Sequence, residues 1–301
     1  MKYTNKHNLP QTLVNLTERD GYSKGAARIS VTTLIGSPKI SILRNRHDDE
    51  IVTDVADGLW ALVGRAIHHV AEAGADAENL SEERLFAEVN GWVLSGGIDL
   101  QVLSDGVSIL DYKFTSAWAV MNAADKGDWE TQLNCYAWLV HKSKGTRVKG
   151  LQICALVRDW RRHDVGRVAN YPEAPAKVID VPLWSYDRQT AYIEERVRLH
   201  QEAASSAEFG DDLPRCTDEE RWVRGEKFAV VRQGNKKATK VFDTEGEANQ
   251  WIATQPNLGN NNYDVVHRPG EPLRCTGNYC RVSSFCKQYG EWVIENKMGD
   301  Q

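Results

Sequence analysis

Two carboxylates and a lysine, Asp99, Asp111 and Lys113, fall within one short stretch of this chain. Between Gly96 and Lys113, two apolar-rich segments flank Ser104-Asp105-Gly106, the pattern of a β-hairpin. With a three-residue loop from Ser104 to Gly106 and Gly106 left-handed, Leu103 pairs with Val107. Asp99 then lies opposite Asp111 on one face. Lys113 shares that face because side chains alternate along a strand. One loop residue more or less would put Asp99 on the other side. Carboxylates held side by side repel, and a fold keeps them together when a cation neutralises both. The predicted chemistry is a divalent-metal site with a lysine beside it. A solvated Asp–Lys pair is the plainer alternative. Here, however, the charges end the apolar run of residues 107–110 and follow Ile98, which favours a site.

The elements that must position these groups can be read around them. Residues 54–73 carry Val55, Leu59, Leu62, Val63, Ile67 and Val70 at helical spacing, which puts His68 on an amphipathic helix. Residues 85–89 read as a strand that brings Glu88 towards the hairpin. A second helix is expected over residues 129–141, with Gln132 and Tyr136 on one face. Residues 148–157 read as a buried strand and residues 185–207 as a long helix. Residues 29–35 read as the entry into the fold, after an irregular arm at 1–28. Helix, hairpin, helix and strand in this order predict an α/β protein with a central mixed sheet. Past Pro214 the composition changes. Short strands at 228–232, 240–242 and 263–267, a helix at 245–253 and a loop at 259–262 predict a small α+β insert. The expected organisation is a core over 1–215, the insert over 216–274, and a cysteine-bearing segment over 275–301 that closes onto Cys216.

Gly-Ile-Asp99 followed by Asp111-Tyr112-Lys113 resembles the core motif of PD-(D/E)XK nucleases. Two flanking segments are similar to the RecB-type exonuclease branch, which includes AddB-like and CRISPR-associated iron–sulfur nucleases. They are Gly64-Arg65-Ala66-Ile67-His68-His69, like that branch's metal-binding histidine helix, and Gln132-Leu133-Asn134-Cys135-Tyr136, like its Gln-x-x-x-Tyr motif. The resemblance spans about residues 55–140 and implies a restriction-endonuclease-like fold and a phage or prokaryotic DNA exonuclease. It also implies roles: Asp99, Asp111, the Tyr112 carbonyl and His68 around Mg2+ or Mn2+, and Lys113 orienting the attacking water or neutralising the phosphate. Glu88 would reach the metal through water, and Gln132 and Tyr136 would hold Lys113 or the substrate strand. DNA that is single-stranded or has a free end is the expected substrate. Replication, recombination or DNA processing is the expected setting. A non-cleaving DNA adaptor and a metal-stabilised protein-interaction scaffold are the alternatives.

Composition sets the outer bounds. The chain has 301 residues, 41% hydrophobic and 26% charged, as ordinary globular proteins do. No apolar run is long enough to span a membrane and the N-terminus lacks a signal region, so a cytoplasmic protein without a membrane partner is expected. The net charge of −5 runs against nucleic-acid binding, though cations on the acidic site would offset it. Basic groups at Arg158, Arg161, Arg162, His163 and Arg167, and at Lys236, Lys237 and Lys240, read as solvated faces or as DNA contacts. No Walker motif occurs, so helicase activity would come from a helicase or recombination partner.

Of six cysteines, Cys135 and Cys154 lie in apolar segments and read as core. Cys275, Cys280 and Cys286 are spaced x4 and x5, and Cys216 sits at the far boundary of the insert. Four soft ligands closing one loop suit a 4Fe–4S cluster or zinc. The lone-plus-trio pattern resembles the AddB-like cluster, from which the x4 gap departs. A 4Fe–4S cluster is the expected centre, with zinc as the alternative and four unliganded thiols as the plainer reading.

Overall fold

The computed structural model describes residues 1–19, 25–74, 76, 78–210, 212–255 and 262–298. They divide into two compact units, Met1–Pro214 and Arg215–Gln301. In the first unit the order is β1 (Lys2–Thr4), α1 (Gln11–Glu18), β2 (Ile29–Ser30), α2 (Val31–Leu34), α3 (Pro38–Arg46), β3 (Val52–Asp54) and α4 (Val55–Ala73). There follow β4 (Leu80–Val89), β5 (Trp92–Val102), β6 (Val107–Thr115), α5 (Ala117–Met121), α6 (Gly127–Lys144), β7 (Val148–Val157), β8 (Ala176–Val181) and α7 (Tyr186–Phe209). The arm expected to be irregular therefore contains β1 and α1, with β1 pairing in parallel with β3. The expected loop at 259–261 lies outside the described residues.

The central sheet runs β2-β5-β6-β7-β8, with β4 also paired to β5. It is mixed: β6 and β7 are parallel, while β4–β5, β5–β6 and β7–β8 are antiparallel. β4 pairs with β5 from Val89↔Trp92 to Leu80↔Gln101 and so occupies one whole edge of it. The opposite edge is shared. β2 takes Leu94 and Ser95, β6 takes Leu100 to Val102, and residues 96–99 between them are left open. That split in the sheet is where the acidic groups gather.

The hairpin follows its loop. Gly106 is left-handed (φ 84°), and β5 and β6 pair as Leu100↔Leu110, Gln101↔Ile109 and Val102↔Ser108. Continued by one residue, this register sets Asp99 opposite Asp111, as expected from the sequence. α6 packs on the sheet with Leu133, Tyr136, Leu139 and Val140 buried against Ile98, Ile109 and Ile153. Gly96 permits that approach, since a Cβ there would lie 2.7 Å from Leu139 Cδ1 and 2.9 Å from Tyr136 Cδ1. α4 starts at Asp54, whose side chain accepts the Ala56 N–H (3.1 Å) as an N-cap and also the Thr4 hydroxyl (2.8 Å).

The second unit contains α8 (Asp218–Arg221), β9 (Val223–Arg224), β10 (Lys227–Arg232), β11 (Ala238–Phe242), α9 (Glu245–Ala253), β12 (Tyr263–Arg268), β13 (Glu271–Pro272), α10 (Leu273–Thr276) and α11 (Lys287–Met298). β10 lies between β11 and β12, and α9 packs on these strands. Its first and last segments are tied together: Gln288 accepts the Cys216 N–H (2.8 Å) and donates to the Cys216 carbonyl (3.0 Å).

Candidate active site

Asp99 occupies the open edge of β5. Its Oδ2 accepts the Tyr112 backbone N–H at 2.8 Å, so a carboxylate replaces a carbonyl where the β5–β6 ladder parts. In an extended strand a residue's N–H and C=O leave on the same edge, so the Tyr112 carbonyl faces the same gap. His68 on α4 places Nδ1 3.2 Å from Asp99 Oδ2 and 3.8 Å from Glu82 Oε1. One ligand atom each from His68, Glu82 and Asp99 lies within 4.8 Å of the others. The β4–β5 register sets Glu82 opposite Asp99, giving a row Glu82–Asp99–Asp111 across three strands. Glu82 has φ +50°, a backbone state that side chains other than Gly, Asn and Asp rarely adopt, and the ladder is interrupted there.

Asp111 is buried (1% exposed), and its Oδ2 faces Lys113 Nζ at 2.7 Å in an ion pair without hydrogen-bond alignment. Lys113 donates to Gln132 Oε1 (3.0 Å), and Gln132 Nε2 donates to the Tyr136 hydroxyl (2.8 Å). The helix face of Gln132 and Tyr136 thus holds the lysine at the acids. These groups line a cavity of about 520 Å³, together with Arg84, Gly64 and Ser30.

The electrostatics follow from crowding like charges in a partly dry place. Burial pushes the Asp111 carboxyl up to about 6; Lys113 opposes the shift and Asp99 adds to it. Burial and then the Asp99 charge raise Glu82. His68 is raised by its bond to Asp99, against the cost of burial. Three clustered carboxyls, of which Glu82 and Asp111 are raised and Asp111 keeps a buried oxygen lacking a hydrogen-bond partner among the described residues, suit a hard divalent cation with oxygen and imidazole ligands.

The structure therefore brings together His68, Asp99, Asp111, Tyr112, Lys113, Gln132 and Tyr136. It does not bring Glu88 there. Glu88 is exposed and pairs with Val93, six residues along β4 from Glu82 and so about 20 Å away. Glu82 stands in the place expected for Glu88. The signal for it was the dipeptide Asn90-Gly91, a two-residue hairpin turn with both φ positive (47° and 76°). That turn fixes Val89 opposite Trp92 and, counted back, Glu82 opposite Asp99.

In the second unit none of Cys216, Cys275, Cys280 and Cys286 is in a disulfide. Burial and then the charges of Cys280, Cys286 and Cys216 push the Cys275 thiol up to about 11, so the four lie near one another. Among the described residues, no three of these sulfurs come within 4.8 Å of one another. Arg221 favours the Cys275 thiolate and Arg274 that of Cys280, and among the described residues the buried Nε of each guanidinium has no hydrogen-bond partner.

A split mixed sheet with a carboxylate row and an anchored lysine at its open edge defines an acidic hydrolase-type site. The chain belongs to the PD-(D/E)XK nuclease superfamily, whose profile matches residues 41–287. Membership supports a nuclease function with DNA as substrate, and this superfamily generally employs divalent metals such as Mg2+ or Mn2+. No curated protein matches the sequence. The crystal structure of SSO0001 is similar, with 17% identity, a TM-score of 0.42, and coverage of 63% of this chain and 85% of that one. A structure from Eubacterium rectale that carries a provisional exonuclease name is similar at 14% identity and a TM-score of 0.31, covering 62% and 71%. Among the described residues, no helix is long and apolar enough to cross a membrane.

Proposed function

We propose that this protein is a divalent-metal-dependent DNA exonuclease of the RecB-type branch. The reading is carried by the row Glu82–Asp99–Asp111, with Lys113 clamped beside it by Gln132. The branch and the attack from an end are supported by the motifs around His68 and Gln132. His68, Glu82, Asp99, Asp111 and the Tyr112 carbonyl would hold Mg2+ or Mn2+, which when bound supplies an acidified water and neutralises phosphate charge. Lys113 directs its ammonium into the cavity, where it donates to a phosphate oxygen or orients the attacking water. Arg84, also on the cavity wall, adds positive charge for the phosphate.

End-labelled single-stranded and duplex DNA, incubated with Mg2+, Mn2+ or chelator, tests this reading. Metal should give shortening from an end and chelator none. Glu82→Gln should slow cleavage by roughly 10-fold or more, while Glu88→Gln leaves it unchanged. Chelator-resistant cleavage would overturn the mechanism. DNA bound but never cut would make the protein an adaptor, and DNA neither bound nor cut a scaffold.

Cys216, Cys275, Cys280 and Cys286 are read as ligands of one 4Fe–4S cluster. The support is the electrostatic reach of Cys216, Cys280 and Cys286 on Cys275 and the two guanidinium groups that favour anionic sulfur. Anaerobically purified protein should be brown and absorb broadly at roughly 400 nm, and Cys280→Ser should bleach it. One zinc per colourless chain would replace the cluster, and neither metal with all four thiols alkylated would remove it.

A further inference from the structure

The cavity wall formed by α4 runs from His68 past Gly64 to Ala61, and Trp60 stands just beyond it. His68, Gly64 and Trp60 are four residues apart in turn, so they share one side of the helix, with Trp60 about 12 Å from the acids' histidine. Between them Gly64 presents no side chain, although a Cβ there would meet nothing within 4 Å. The helix surface at Gly64, between Trp60 and His68, is therefore open.

Trp60 is 60% exposed, an unusual state for the largest apolar side chain. It is nevertheless held. Phe114, the residue after Lys113, packs against it with ring centres 6.1 Å apart. The Arg158 guanidinium lies 5.1 Å from its ring centre. Arg158 is exposed and, among the described residues, makes no ion pair, so its charge is available to a ligand. It opens the basic run that includes Arg161 and Arg162, which the carboxylate site leaves unused. Both Phe114 and Arg158 come from the C-terminal end of the parallel pair β6–β7, the end of a sheet at which ligands bind in α/β folds. A second ring follows. Trp118, 61% exposed with Lys126 Nζ 5.2 Å from its centre, sits on α5 directly after β6.

We propose that Trp60, steadied by Phe114 and Arg158, is a base-stacking ledge that receives the unpaired end of a DNA strand and leads it along α4 over Gly64 to the carboxylate row. Any base offers a π-face to an exposed indole, and a guanidinium beside it takes the adjoining phosphate, so such a ledge is indifferent to sequence and selective for single strands. In a duplex the bases stack on each other and have no face to offer. The proposal rests on the nuclease reading of the site and adds its strand preference.

Binding measured by fluorescence anisotropy in chelator keeps this test apart from catalysis. The probes are a labelled oligothymidylate, the same backbone with abasic sugars, and a blunt duplex. Trp60→Ala should weaken oligothymidylate binding by roughly 5- to 100-fold, with Trp60→Phe restoring most of it and a double variant with Trp118→Ala losing more. The abasic strand should bind wild type about as weakly as thymidylate binds Trp60→Ala, and the variant should not distinguish the two. Arg158→Ala should weaken both single strands alike. Trp60 is exposed, so circular dichroism should be unchanged. Equal losses on single strand and duplex, no loss, or no single-strand binding by wild type would each overturn the ledge. Parallel cleavage by wild type with Mn2+ separates the two readings. Cleavage with an unaltered Trp60→Ala affinity removes the ledge alone, while stacking losses without any cleavage leave the ledge and remove the nuclease.

Discussion

Asp111→Asn is expected to abolish metal-dependent cleavage, by roughly three orders of magnitude or more, and at the same time to stabilise the metal-free protein. The two effects have one origin. Asp111 is buried, its Oδ2 has no hydrogen-bond partner among the described residues, and Asp99 adds a second negative charge beside it. Lys113 and, more weakly, His68 oppose this, yet the carboxyl is still pushed up to about 6. A raised value means that the folded protein holds the proton more tightly than the unfolded chain does. The protonated carboxyl therefore favours folding at acid pH, and that contribution is lost as pH climbs from the ordinary carboxylate value of 3.8 to about 6. An amide escapes the loss. Thermal melts in chelator should show Asp111→Asn above wild type at pH 7.5 by about 1–3 kcal/mol, at roughly 2–4 °C for each. Near pH 4 the difference should shrink towards zero. A variant less stable than wild type at both pH values would mean that Asp111 is a structural member of its ion pair, and retained cleavage would remove it from the site.

The acids were legible because hairpin arithmetic is strict. A period of two and a three-residue loop closed by a left-handed Gly106 leave one partner for Asp99. The same arithmetic was available for β4 through Asn90-Gly91 and was hidden by polarity. Glu82, Glu83 and Arg84 interrupt the apolar alternation, so the pattern marks only residues 85–89 of a strand that begins at Leu80. The acid that belonged to the site was itself what disguised its strand. β8 leaves no sequence signal for a related reason: it is an edge strand with Ala176, Lys177, Val178 and Asp180 exposed, and no buried stripe marks it. Among the described residues β1 pairs only with β3, a contact fifty residues away that no local period can announce. Gln132 and Tyr136 were visible as a helix face, but their order of contact was not. Which of them touches Lys113 depends on how closely α6 approaches β5, and Gly96 sets that distance.

Lys113→Ala should give a nearly matching loss of activity with the opposite effect on stability. The lysine is not among the groups that would ligate a cation, so its removal should lower turnover by about two to three orders of magnitude. Mn2+ affinity measured by calorimetry should stay constant or rise, because one competing positive charge has gone. In chelator the same change removes the cation paired with the buried Asp111 oxygen and should cost about 3–5 kcal/mol. Added metal should recover much of that stability, since a cation would then neutralise Asp111 in the lysine's place. Gln132→Leu tests how the lysine is held. Lys113 keeps its contact with Asp111 at 2.7 Å but loses the 3.0 Å anchor on α6, so turnover should drop by only about 10-fold with little change in stability. If Lys113→Ala instead lost metal binding, the lysine would be part of the scaffold that shapes the acids. A Gln132→Leu loss as large as that of Lys113→Ala would shift the positioning of the ammonium from Asp111 to the helix. The sign of the stability change separates the roles of the paired residues: removing the acid relieves the metal-free fold and removing the lysine strains it, while either change stops cleavage.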